Sequence, residues 1–313
     1  MPPPGTHAAT ATVIMRSLLF VPGDSPKKLD KSLTVGADAL VLDLEDSVSA
    51  DRKAEARVIT AGFLREIAPL AERPRLIVRV NALDTGLTDD DVAAVVAARP
   101  DGILLPKAEG GASVAHLDAK LAVQEAIHDL PDGGIHIIAL ATETAAALFQ
   151  AGTYGGVSAR LSGLTWGAED LSAALGAESN RGDDGRFTPP FMFARTLCLA
   201  GAAAAKVAPL DTVYVDFRND AGLRRECEEA RRDGFVGKFA IHPAQVAVIN
   251  AVFTPNAETI AHAQAVVAAF AANPNVGVVG IGGLMYDRPH LARAERLLAR
   301  VSAANYERSG LAP

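Results

Sequence analysis

Eight short apolar runs recur along the chain, and each gives way to glycine, proline or a charged residue. Residues 18–21 run into Pro22-Gly23, 39–42 into Asp43, Glu45 and Asp46, 76–78 into Arg79, and 102–105 into Pro106-Lys107. Residues 135–140 stop just before Glu143, 161–166 lead to Glu169-Asp170, 213–215 to Asp216, and 239–241 to His242-Pro243. The runs are rich in Val, Ile and Leu without strict alternation, as expected for strands covered on both faces. Helix-like stretches separate them, so strand and helix alternate eight times. That pattern predicts an α/β fold, a parallel (β/α)8 TIM barrel whose strand ends converge on one functional rim. A doubly wound open sheet is the alternative, but it places its ligand at one switch point, whereas polar residues here follow every run.

The length suits one such barrel with an extension. Of 313 residues, 49% are hydrophobic and 21% charged, enough for one large core. The expected division is a loose tail over 1–15, a catalytic barrel over 16–255, and a C-terminal helical extension over 256–313 that packs on a neighbouring subunit or folds back as a lid. A formal net charge of −7 argues against a nucleic-acid partner. The two cysteines, Cys198 and Cys227, form no CxxC or Cys/His cluster and read as reduced thiols of a cytoplasmic protein. The opening Met1-Pro-Pro-Pro-Gly has no signal-peptide pattern, and no run has the length and character of a membrane span. The polar, Gly-rich segment 178–188 reads as a mobile rim loop. Beyond residue 255 the pattern predicts a helix over 257–271, an apolar run over 276–280, Gly282-Gly283, and a last helix over 290–307.

The rim acids carry the first chemical argument. Several carboxylates on one rim repel each other unless a cation or basic groups neutralise them. Glu143 and Asp170, with Asp43, Glu45 and Asp46, suit Mg²⁺, with Mn²⁺ as its substitute, and the lack of His/Cys ligand spacing argues against zinc. The competing expectation is that these acids pair with Arg79, Lys107 and backbone amides. Arg79 can hold a substrate carboxylate bidentately or serve only to neutralise the acids. Lys107 could form a Schiff base, although so many acids favour a protonated ion pair with Glu45 or Asp46. Strand, tight turn and helix start over Phe20, Pro22, Lys28 and Lys31 suit a phosphate, or are a solvated basic face. His242 reads as a helix-entry residue.

Taken in order, Arg16-Ser-Leu-Leu-Phe-Val-Pro-Gly23, Leu42-Asp-Leu-Glu-Asp-Ser-Val48, Val78-Arg-Val-Asn81, Leu104-Leu-Pro-Lys107, Thr142-Glu-Thr-Ala145, Trp166-Gly-Ala-Glu-Asp-Leu171 and Ile241-His-Pro243 resemble the family of citrate lyase β-subunits and malyl-CoA or citramalyl-CoA lyases. This family is similar in fold to the Mg²⁺-dependent 2-keto acid aldolases, and the resemblance runs from about Arg16 to the C-terminal helix. It implies a homotrimer or hexamer that cleaves or forms a 3-hydroxyacyl-CoA, giving acetyl-CoA and a 2-oxo acid, with CoA as part of the substrate. By resemblance Glu143 and Asp170 ligate the metal, and Arg79 holds a carboxylate or thioester oxygen. Gly167, Ala168 and Glu169 shape the metal-side wall, and Phe20, Pro22, Lys28 and Lys31 approach CoA. Asp43 and Glu45 join Arg79 as catalytic candidates, and Asp287 in Leu284-Met-Tyr-Asp-Arg-Pro289 reaches an adjacent subunit's site as acid or base. Ala174 and the Arg218-Asn-Asp-Ala segment depart from the pattern near the rim and leave substrate choice open. The rival activities are a citrate lyase β-subunit, an aldolase on free hydroxy-keto acids, a thioesterase, and a catalytically silent binding subunit.

Overall fold

The computed structural model describes residues 15–308. The expected N-terminal tail lies outside the described residues, apart from Met15. Eight parallel strands follow one another around a closed barrel: β1 (Ser17–Pro22), β2 (Ala39–Asp43), β3 (Arg75–Arg79), β4 (Gly102–Leu105), β5 (His136–Leu140), β6 (Leu161–Thr165), β7 (Ala208–Asp211) and β8 (Gly237–Ala240). Strand β8 pairs back to β1 and completes the ring. The helices are α1 (Pro26–Ser32), α2 (Lys53–Ile67), α3 (Thr88–Val96), α4 (Gly111–Ile127), the one-turn α5 (Ala145–Leu148), α6 (Ala168–Leu175), α7 (Pro189–Ala205), α8 (Asp220–Asp233) and α9 (Pro243–Phe253). The fold is a (β/α)8 TIM barrel.

Continuous apolar runs form these strands because helices cover one face and the packed interior the other; β2 and β4 are buried along their whole length. Register then fixes the rim. Pro22 lies opposite Asp43, Asp43 opposite Arg79, and Arg79 opposite Leu104, so the ends of four strands arrive at one level. Gly23 permits the tight exit of β1: a Cβ there would come within 2.5 Å of Thr60 Oγ1 and 2.8 Å of the Asp43 carbonyl.

One expectation needs correction. The seventh strand is Ala208–Asp211, not 213–215, so the acid at its end is Asp211 and not Asp216. Pro209 supplies no ladder donor and disguises the strand, while the β-branched Val213 and Val215 fall in the connection that follows. The segment 178–188 forms the expected loop, and one arginine links it to its own backbone and to α8. Arg181 stacks 3.7 Å from the Phe187 ring centroid, donates to the Gly185 carbonyl at 2.8 Å and pairs with Glu226 at 2.9 Å.

The described chain divides into two compact units, Met15–Phe253 and 254–308. The second contains α10 (Ala257–Ala272), a hairpin of β9 (Val278–Ile281) and β10 (Leu284–Asp287), and α11 (Arg288–Arg308). Gly282 and Gly283 turn the hairpin with φ of 58° and 80°, the left-handed pair that a two-residue turn requires. Strand β10 was not legible as a strand in the sequence. Val279 opposite Tyr286 and Ile281 opposite Leu284 share one face, and Val279 packs with Ala263, Val266, Phe270 and Ala294. Val278 opposite Asp287 and Gly280 opposite Met285 share the other face, where Val278 is 48% and Met285 69% exposed. Among the described residues no helix is long and apolar enough to cross a membrane.

Candidate active site

The rim after β2 and β3 is built around one guanidinium. Arg79, at the end of β3, donates from Nε to Asp43 Oδ1 and from Nη2 to Asp43 Oδ2, both at 2.7 Å. Its Nη1 lies 2.9 Å from Glu45 Oε2 and 3.3 Å from Asp46 Oδ2. Phe20 lies against the guanidinium, 4.8 Å from ring centroid to Cζ. Burial alone would raise the Asp43 pKa, but the bonds from Arg79 hold it below the usual carboxylate range. Glu45 is less well served. Its Oε2 has no hydrogen-bond partner despite the short ion pair, because the Nη1 donor is misaligned. Burial therefore pushes Glu45 upward. Lys53, reaching from α2, donates to the Leu44 and Glu45 carbonyls at 2.7 Å each and pins the turn that carries these acids.

Lys107 links this group to the next. It follows β4 with φ of 50°, a left-handed conformation uncommon for a side chain with a Cβ. Its backbone N–H donates to Glu143 Oε2 at 2.6 Å. Its Nζ pairs with Glu45 Oε1 at 2.6 Å and lies 3.6 Å from Asp170 Oδ1 and 4.0 Å from Asp46 Oδ1. Burial disfavours the ammonium, but these acids outweigh it and raise the Lys107 pKa, which is the opposite of what an amine nucleophile needs.

Glu143 and Asp170 therefore lie at the two ends of one lysine. Glu143 follows β5 and is 4% exposed. Burial pushes its carboxyl up to about 8, and the nearby charges of Asp170 and Glu45 add to the rise. Gly167, which caps α6, lies against it: a Cβ there would come within 2.8 Å of Glu143 Cγ and 2.9 Å of Oε1. Asp170 sits in the first turn of α6 and is half-buried. No side chain caps that turn at Gly167. Ala168 is buried, whereas Glu169 is exposed and accepts from Asn180 Nδ2 at 2.8 Å.

This donor set fits a hard divalent cation. A buried carboxylate that resists ionisation beside a second carboxylate gains from such a charge, and Mg²⁺ needs only one or two protein carboxylates, keeping waters and substrate for its other positions. Among the described residues no group of three or more His, Cys, Asp or Glu could hold a metal by itself.

The remaining candidates are dispersed. Pro22 is half-buried, and Lys28 and Lys31 are exposed on α1. His242 stacks on Phe217 at 4.6 Å and accepts from the Ala244 amide at 3.2 Å, a helix-entry arrangement. Asp287 belongs to the second unit, where its Oδ1 lies 2.5 Å from His290 Nδ1.

The sequence reading missed a buried charge network behind β6. Lys238 on β8, fully buried, donates to Asp211 at 2.7 Å and to Glu226 at 2.8 Å. Asp211 also accepts from Trp166 Nε1 at 2.8 Å. Trp166 immediately precedes Gly167, so this network anchors the strand end that launches Asp170. A lysine inside an apolar run was its one sequence signal.

Residues 16–243 match the family model described as HpcH/HpaI aldolase/citrate lyase, and residues 198–305 match one described as a C–C bond lyase of the TIM-barrel fold. A protein named citrate lyase subunit beta from Leuconostoc mesenteroides subsp. cremoris is 33% identical, over 93% of this chain and 94% of that protein. One named (3S)-malyl-CoA thioesterase from Cereibacter sphaeroides (strain ATCC 17025 / ATH 2.4.3) is 36% identical, over 92% and 95%. The crystal structure of CitE from Mycobacterium tuberculosis in complex with magnesium, acetoacetate and coenzyme A superposes with a TM-score of 0.73 at 32% identity, covering 93% of this chain and 99% of that one.

Proposed function

Because the chain belongs to the HpcH/HpaI aldolase/citrate lyase family, we propose that it is a Mg²⁺-dependent carbon–carbon lyase. In this reading it cleaves or forms a 3-hydroxyacyl-CoA such as malyl-CoA or citramalyl-CoA, exchanging it with acetyl-CoA and a 2-oxo acid. The observation that carries the reading is Glu143: a rim carboxylate buried to 4% exposure, raised to about 8, beside Asp170. Mn²⁺ would substitute in the same donors.

Glu143 and Asp170 would hold the cation, which when bound supplies Lewis-acid polarisation of the keto or hydroxyl oxygen. The backbone N–H of Lys107 fixes one Glu143 oxygen, and the Lys107 ammonium, 2.6 Å from Glu45 Oε1, opposes the rise that burial imposes on Glu45. The first-turn amides of α6, uncapped at Gly167, would receive the keto acid carboxylate beside Ala168 and Glu169. Arg79 is held by Asp43, so its second Nη2 hydrogen is the donor we assign to a substrate oxygen; Asp43 and Glu45 set its position and charge. Phe20, Pro22, Lys28 and Lys31 would lie along the CoA.

Asp287 would protonate the carbon of the acetyl enolate, or abstract that proton in condensation. We place it in the site of an adjacent subunit of a homotrimer. The support is its position on the hairpin face that carries exposed Val278 and Met285. A cytoplasmic setting agrees with two buried free thiols. The relative named as a citrate lyase subunit keeps a second reading in play, transfer from a citryl thioester with partner subunits. Incubation of the purified protein with malyl-CoA and citramalyl-CoA, with and without EDTA, tests the proposal. Metal-dependent acetyl-CoA release supports it. Release that survives complete metal removal overturns it, and release only after adding citrate lyase partner subunits moves it to the second reading.

A further inference from the structure

The hairpin unit pairs Asp287 with a histidine for which the reading above has no use. Asp287 ends β10, and His290 sits three residues on, in the first turn of α11. The imidazole Nδ1 is 2.5 Å from Asp287 Oδ1 and 3.3 Å from the backbone nitrogen of the same residue. One ring nitrogen cannot satisfy both groups in one protonation state. With a proton on Nδ1 it donates to the carboxylate. Without one it accepts from the amide N–H and from a protonated Asp287. The same atom is thus wired for both positions of one proton.

The pair is held and also reachable. The His290 ring stands edge-on to Tyr286 at 5.4 Å, and Tyr286 lies 5.4 Å from His262 of α10. The side chains of His290 and Asp287 are 35% and 41% exposed. Among the described residues no other ion pair to Asp287 or His290 is formed. Arg288 turns to the Pro274 and Val276 carbonyls, His262 lies beyond the tyrosine ring, Arg293 follows one turn on along α11, and β9 carries no titratable group.

We infer that His290 is the proton partner of Asp287, positioning its carboxylate and resupplying the proton that Asp287 gives to carbon. The inference rests on the reading of Asp287 as the acid of the lyase reaction. In cleavage, the Nδ1 proton of the imidazolium moves onto the Asp287 carboxylate, and that carboxyl proton then forms the new C–H bond of the acetyl group, returning Asp287 to carboxylate. His290 is left neutral with its Nε2 proton and regains the other from water. Condensation runs the same transfers backward. His290 touches no substrate atom, so it is a positioning residue.

The test is the pH profile of malyl-CoA cleavage by the full chain with Mg²⁺, for the unaltered protein, Asp287→Asn, His290→Gln and His290→Phe. The glutamine can donate to Asp287 but cannot carry a second proton. We expect His290→Phe to lower kcat about 10–100-fold with KM nearly unchanged. We expect His290→Gln to recover part of kcat but to lose one limb of the pH profile measured for the unaltered protein. Full activity in Asp287→Asn sinks the underlying reading. An inactive Asp287→Asn together with unaltered kcat and pH profile in His290→Gln sinks the inference alone, whether or not His290→Phe folds.

Discussion

Gly167→Ala probes the metal-side wall with a single methyl group. The new Cβ would lie 2.8 Å from Glu143 Cγ, 3.2 Å from Cδ and 2.9 Å from Oε1, against an ordinary carbon contact of about 3.5–4.0 Å. Glu143 cannot simply swing away, because it is buried and the Lys107 N–H holds its other oxygen at 2.6 Å. Its carboxylate must move by roughly 0.5–1 Å, while Mg²⁺ demands near-ideal distances of about 2.0–2.1 Å. The backbone itself accepts alanine, since Gly167 has φ of −123° and ψ of 124°. Overpacking costs about 1–3 kcal/mol, offset by about 0.4–1 kcal/mol from the stiffer unfolded chain. The fold should therefore survive, with a stability loss of at most about 2.5 kcal/mol by urea denaturation. Mg²⁺ affinity by isothermal titration calorimetry should fall about 10–100-fold, or about 1.4–2.7 kcal/mol. A folded Gly167→Ala protein that binds Mg²⁺ as tightly as the unaltered chain would refute the placement of the cation against Glu143.

Further outcomes follow from the buried charges. Glu143, raised from 4.5 to about 8, keeps a proton that the unfolded chain releases. The metal-free protein should therefore lose stability as pH rises between those values, by at most roughly 5 kcal/mol; thermal melts in EDTA should show this loss, and excess Mg²⁺ should stabilise more at pH 8 than at pH 6. Arg79→Met leaves Asp43 buried without its guanidinium and should cost about 3–5 kcal/mol in urea denaturation. The depressed Asp43 pKa contributes stability above the usual carboxylate pKa that is lost as pH falls through its folded value, and Arg79→Met should lose that part of the acid dependence. Asp211→Ala strips one acid from the fully buried Lys238 and frees Trp166 Nε1; it should destabilise by a similar ~3–5 kcal/mol and weaken metal binding through the β6 end.

Much of the barrel was legible because parallel strands buried on both faces must be apolar throughout, and seven of the eight runs fall within two residues of a strand at each end. Strand β7 was not, because it is only Ala208-Pro-Leu-Asp211 and its proline argues against a strand. The neighbouring Val213-Tyr-Val215 carries better β-formers but lies in a connection. The hairpin hid for a related reason: the Gly282-Gly283 turn was visible, but Leu284-Met-Tyr-Asp287 shows no strict alternation. Among the site residues, those at strand ends could be named from position alone, and Lys107 does bring Glu45, Glu143 and Asp170 together. What position could not give was partnership. Lys53 pins the Glu45 turn from a helix, and Lys238 reaches Asp211 and Glu226 across 27 and 12 residues. Such pairings are set by three-dimensional closure of the barrel and leave no periodic trace.

The central claim is that Glu143 and Asp170 grip one divalent cation at the barrel rim. Anomalous diffraction from crystals grown with Mn²⁺ measures this directly. The account predicts one strong peak per barrel in coordination distance of both carboxylates, about 2.0–2.3 Å, and its loss in Glu143→Gln. A peak bound elsewhere, or one that persists undiminished in Glu143→Gln, would contradict it.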